Sequence, residues 1–116
     1  MQRRKSRYSN GSKRRKLRRR YELSGEPCHL CGYPIPNDVP HMDMQQLVLD
    51  ELELFRDGGS ATDPDNVRPA HRCCNGGRGT QPVTEALKAW IRRRYEREVL
   101  GRRKARAESY ETSSRW

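Results

Sequence analysis

The 116-residue chain carries 25 Lys and Arg against 15 Asp and Glu, for a formal charge of +10 and a pI near 10.0. With 32% apolar and 34% charged residues a large core is excluded, and small chains with thin cores need a metal, disulfides or a partner. The charge favours a polyanion, nucleic acid or a membrane surface; no apolar run is long enough to span a bilayer and no signal-peptide pattern opens the sequence, so the expected location is cytoplasmic, with thiols reduced.

Residues 1–20 are basic and of low complexity: Arg3, Arg4, Lys5 and Arg7, then Lys13 to Lys16 and Arg18, Arg19 and Arg20, with no acidic residue among them. Nothing in that stretch provides an apolar face, so it is expected to be a disordered arm, serving as a tether on phosphates or as a solubilising tail. Residues 21–80 are expected to form the folded domain. Its first knuckle is Cys28-His29-Leu30-Cys31, followed by Gly32 and then by an extended loop carrying Pro34, Pro36 and Pro40. His29 and His41 are isolated loop histidines, read as solvent-facing. Met44 to Phe55 is the strand candidate, with Leu47, Leu49, Leu52 and Leu54 apolar; the alternation slips between Leu49 and Leu52, which leaves a helix as the rival. Gly58-Gly59 and a short return at Asn66 to Arg68 favour a hairpin-like turn, with turn chemistry in Asp63-Pro64-Asp65-Asn66.

His71 to Cys74 should open a short helix ending at Gly76, Gly77 and Gly79. Residues 81–101 read as an amphipathic basic helix, with Pro82 in its first turn and Thr80 or Gln81 as cap. Val83, Ala86, Leu87, Trp90, Ile91 and Tyr95 recur at helical spacing as its docking face. Arg92, Arg93, Arg94 and Arg97 cover the other side, either meeting phosphates or simply solvated. Residues 102–116 are expected to be a flexible tail.

Cys-x-x-Cys followed by His-x-x-Cys supplies four thiolate and imidazole ligands of the kind a closed tetrahedral structural zinc takes. Cys28, Cys31, His71 and Cys74 are the chosen set. Cys73 in place of His71 would give four thiolates, but vicinal cysteines place two sulfurs on one tetrahedron poorly; His71 could also leave the zinc for a second ion. Disulfides suit the vicinal pair poorly, and a thiol redox site lacks the βαβ pattern that would surround it.

Taken together, Leu49-Asp50-Glu51-Leu52, Gly58-Gly59, Asn66-Val67 and His71-x-x-Cys74-Asn75 resemble the HNH endonuclease pattern across Cys28 to Gly79. The resemblance implies a small α+β fold, a ββα-metal core stapled by zinc, and hydrolysis of DNA phosphodiester bonds assisted by a second divalent ion, Mg²⁺ or Mn²⁺ and alternatively Zn²⁺ or Ni²⁺. Residue by residue it implies Asp50 and Asn75 as ligands of the catalytic ion, Glu51 at the general-base position and Asn66 as the brace of the inter-strand loop. DNA is the implied partner, held by Arg18, Arg19, Arg20, Arg92, Arg93, Arg94 and Arg97. Asp-Glu is similar to a phage-type variant, which adds phage packaging proteins as partners and a bacterial host cell as the setting.

Three positions depart from the family pattern. Glu51 stands where histidine is usual; the unperturbed values, about 4.3 against about 6.5, make it the weaker base by roughly two units, and it could instead ligate the ion beside Asp50. Leu54 stands where proline is frequent. Asn75 replaces the final histidine, giving a weaker oxygen donor. The competing class is a zinc-stabilised nucleic-acid-binding protein without catalysis, in which Asp50 and Glu51 are a solvated pair on a strand edge.

Overall fold

In a computed structural model, residues 11–101 are described. They form a small α+β unit: α1 (Gly11–Ser24), β1 (Leu47–Glu51), a 3-10 turn (Phe55–Asp57), β2 (Val67–His71), α2 (Arg72–Arg78), α3 (Glu85–Tyr95) and a π-helical turn (Glu96–Leu100). The expectations for residues 1–10 and 102–116 lie outside the described residues.

The two strands pair antiparallel in register from Leu47 opposite His71 to Glu51 opposite Val67. The slip in alternation is resolved by the strand's length: β1 stops at Glu51, so Leu52 and Leu54 are under no period-two constraint. One further bond, from the Leu52 amide to the Asn66 carbonyl (2.8 Å), carries the pairing past the strand end. The loop beyond it is pinned by Asn66, whose Oδ1 accepts from the Glu53 amide (2.9 Å) and whose Nδ2 donates to the carbonyls of Glu53 (3.0 Å) and Ser60 (2.8 Å). Gly59 permits this closure, since a Cβ there would overlap the Glu53 carbonyl.

Each face of the hairpin carries its own core. On one, Ala70 packs with the cysteines and with Leu87, Ile91, Tyr95 and Val99; on the other, Leu47 and Val67 pack with Leu17 and Tyr21 of α1. The second core corrects the expectation of a disordered arm through residue 20. Residues 11–24 are helical because Arg, Lys and Leu favour helix and because Leu17 and Tyr21, one turn apart, find an apolar sheet face. A Tyr21 hydroxyl bond to the Val67 carbonyl (2.6 Å) fixes the contact.

α3 begins later than the sequence suggested. Thr84 is the cap, its Oγ1 accepting from the Leu87 amide (3.1 Å). Thr80, Gln81 and Pro82 remain outside the helix because the Gln81 carbonyl is held by Arg78 Nε (2.9 Å). Of the expected docking face, Leu87, Ile91 and Tyr95 are buried, joined by Val99 one turn on, while Ala86 is exposed and Trp90 is 45% exposed.

Candidate metal centre and carboxylate cavity

Cys28, Cys31, His71 and Cys74 converge, all buried, with one ligand atom from each within 4.8 Å of the others. His71 Nδ1 lies 3.3 Å from Cys31 Sγ and 3.7 Å from Cys74 Sγ. Nitrogen and sulfur sharing a tetrahedral zinc, with bonds of about 2.0 and 2.3 Å, sit about 3.5 Å apart, so the donor set fits that ion. The ring is oriented for it: His71 Nε2–H donates to the Pro34 carbonyl (2.9 Å), leaving the Nδ1 lone pair facing the sulfurs. Tyr95 stacks on the imidazole (4.4 Å between centroids) and Tyr33 on Tyr95 (5.3 Å).

The first knuckle turns at Gly32, whose φ of 80° is left-handed and whose amide bonds the Cys28 carbonyl (2.8 Å). Amides of His71 and Tyr33 point at Cys28 Sγ and Cys31 Sγ (3.4 and 3.5 Å). Without a metal, these groups share protons among themselves. Cys28 is pushed far down, by hydrogen bonding to Cys31 and then Cys74, and Cys74 is pushed up, by Cys28 first. Burial, the largest single influence on His71, pulls it down, yet the contacts with Cys28 and Cys31 raise it to about 10. Cys73 lies half-buried outside the set, so among the described residues the ligand group is three thiols and one imidazole.

A separate open cavity of about 340 Å³ is lined by Leu49, Asp50, Glu51, Leu54, Phe55, Arg56, Asn75, Gly79 and Thr80. It brings together Asp50 and Glu51 from the end of β1 with Asn75 from the first turns of α2. Both carboxylates are buried, at 4% and 3% exposure; the solvated strand-edge pair is therefore not what forms. Asn66 is not among the lining residues and serves in the loop instead.

Burying two acids requires partners, and the fold supplies them from distant residues. Asp50 Oδ1 accepts from Arg78 Nη1 and Oδ2 lies against His29 Nε2, each at 2.6 Å. Arg78, 1% exposed, also donates to the carbonyls of Glu51 and Leu52. Glu51 Oε2 accepts from the Phe55 amide (3.1 Å), and Oε1 lies 3.3 Å from Arg14 Nη1 of α1. His29 is thus turned inward rather than toward solvent. Its position inside the first knuckle was the available signal, because whatever holds the knuckle also places His29. Arg78 gave none beyond being a basic residue near a helix end.

The cations expected to hold a polyanion are dispersed. Arg19 and Arg20 are exposed on α1, and Arg18 pairs with Glu22 (3.3 Å). On α3 and the turn after it, Arg93 and Arg97 are exposed, Arg92 lies over the Tyr33 ring (5.1 Å), and Arg94 lies over Trp90 (5.7 Å) while pairing with Glu98 (3.3 Å). Among the described residues no helix is long and apolar enough to cross a membrane. No family model, curated protein or solved structure matches the chain.

Proposed function

We propose that the protein is a metal-dependent endonuclease of the HNH type, hydrolysing DNA phosphodiester bonds with little sequence preference. The observation that carries this reading is the cavity at the end of β1, where buried Asp50 and Glu51 meet Asn75 one residue beyond a zinc-type ligand. A hairpin followed directly by a helix, with the metal cluster at their junction, agrees with a ββα-metal core. Asp50 and Asn75 would hold the catalytic ion, an oxygen-rich set suited to Mg²⁺ or Mn²⁺, with Zn²⁺ and Ni²⁺ as alternatives. Such an ion, when bound, neutralises charge at the scissile phosphate and on the leaving oxygen. Glu51 would accept the proton of the attacking water, its carboxylate held in place by the Phe55 amide. Asn66 keeps the loop closed behind Phe55. Arg18, Arg19, Arg20, Arg93 and Arg97 would supply backbone affinity, with Arg92 and Arg94 contributing from their aromatic seats. A role in phage DNA packaging, with packaging proteins as partners in a bacterial host cell, belongs to the same proposal.

A second reading is favoured by the partners of Asp50: both its oxygens are engaged, by Arg78 and His29, as those of a purely structural carboxylate would be. The protein would then bind nucleic acid without cutting it. A carboxylate has about four acceptor sites, so these bonds leave lone pairs for a cation, and ligating carboxylates are themselves usually hydrogen-bonded. Plasmid nicking with Mg²⁺, Mn²⁺, Ni²⁺ or Zn²⁺, on wild type and Asp50→Ala, separates the two. The nuclease requires cleavage that Asp50→Ala abolishes while zinc content and DNA binding persist; binding with no cleavage in any metal leaves the second reading.

A further inference from the structure

Seven of the fourteen residues of α1 are Lys or Arg, and its one acid, Glu22, is paired with Arg18. Three contacts fix how this helix lies. Leu17 and Tyr21 are buried against Leu47 and Val67, the Tyr21 hydroxyl holds the Val67 carbonyl, and Arg14 Nη1 donates to the Ala61 carbonyl (2.7 Å) and meets Glu51. Lys13, Arg15, Lys16, Arg19 and Arg20 are left exposed. Lys13, Lys16 and Arg20 follow one another at three- and four-residue steps, and Arg15 and Arg19 at four, so like charges stand one above the other. Such pairs destabilise an isolated helix. Here the sheet contacts hold the rows in place.

We infer that α1 is a fixed rail for the phosphodiester backbone of duplex DNA, laying the duplex beside the carboxylate cavity. What then happens to the DNA in the cavity rests on the nuclease reading; the binding itself does not. A membrane helix keeps an apolar face for lipid, whereas α1 spends Leu17 and Tyr21 on the protein. Single strands are gripped by aromatic stacking, and the exposed face between Lys13 and Arg20 has no aromatic residue. What it offers is charge in a fixed row. The duplex backbone, with one negative charge per about 1.7 Å of axis, is the dense polyanion that such a row fits. Arg14 sets the position, because its guanidinium ties the inner edge of the rail to Glu51.

The test is fluorescence anisotropy of a labelled 24-base-pair duplex of arbitrary sequence, across a KCl series and without added divalent ion, using the full chain loaded with zinc. Replacing Lys13→Gln, Lys16→Gln and Arg20→Gln together should weaken binding at least about ten-fold and flatten the log–log salt slope by about 2 to 3, the share of three phosphate contacts. Tyr21→Phe and Leu17→Ala keep every charge but loosen the docking, and should each weaken binding several-fold with the far-UV spectrum retained. A wild-type slope in the triple variant overturns the rail. So does undiminished affinity in both docking variants, which would make α1 a tether, or full competition by phosphatidylserine vesicles, which would make it a membrane helix. Loss of binding in these variants from a wild type that cuts no plasmid in any metal would sustain the rail and remove the nuclease.

Discussion

The metal centre and the carboxylate cavity lie at opposite ends of the same short strand pair, yet they are built differently. The centre is self-contained: four ligand atoms come from two knuckles, and their mutual contacts satisfy one another. The cavity is held together by side chains brought from elsewhere, the guanidinium of Arg78 from the end of α2, the imidazole of His29 from the first knuckle and the guanidinium of Arg14 from α1. The first is a donor set that could take one ion; the second has partners for its carboxylates already supplied by the fold. His29 joins them, since it lies between two zinc-type ligands and also touches Asp50.

The largest effect should come from the centre. Structural zinc contributes about 10–16 kcal/mol of apparent binding free energy in small domains, as much as the whole stability of an ordinary domain. Complete chelation, or Cys31→Ala, is expected to collapse the far-UV circular dichroism of residues 28–78; an unchanged spectrum at zero zinc content would refute the staple. Zinc must also displace protons held by the thiols and by His71, whose pKa the contacts with Cys28 and Cys31 raise to about 10 in the metal-free cluster. Loading at pH 7 should therefore release protons, and affinity should fall as pH falls, as calorimetry in buffers of different ionisation enthalpy would register.

Next in size is Arg78→Ala, which leaves Asp50 buried beside an empty space. Breaking a buried pair costs about 3–5 kcal/mol, measurable by urea unfolding of the zinc-loaded protein. A loss below 1 kcal/mol on the order used for exposed pairs would mean that Asp50 is better solvated than its burial indicates. His29→Ala removes one charge-assisted bond, a loss of about 1.5–3 kcal/mol, and should leave zinc content intact; if zinc is lost as well, the two regions are one cooperative unit. The smallest change belongs to Arg14→Gln, below about 1 kcal/mol because Arg14 is partly exposed and Glu51 retains the Phe55 amide. Equal losses for Arg14→Gln and Arg78→Ala would erase the distinction between a partly exposed and a buried counter-ion.

The zinc-type ligand set was legible in the sequence because metal spacing is local: each knuckle is one turn, and one turn sets where its two donors can stand. The hairpin and the short helix after it were legible for the same reason, through Gly58-Gly59, the turn residues and the glycines past Cys74. The helix at residues 11 to 20 is not legible in the sequence because the apolar residues that dock it number only two, Leu17 and Tyr21, and their partners Leu47 and Val67 lie far away in the chain. Pro82 and Thr84 are equally good local start signals, and Arg78 gripping the Gln81 carbonyl favours the later one.

By itself, then, the order of residues determined which side chains could chelate, where the chain must turn and what charge it carries, since all three follow from covalent spacing and composition. Only the tertiary structure decided the fate of Asp50 and Glu51. Adjacent acids stay in water unless polar partners are packed against them, and here those partners, the guanidinium groups of Arg14 and Arg78 and the imidazole of His29, are brought together only by folding.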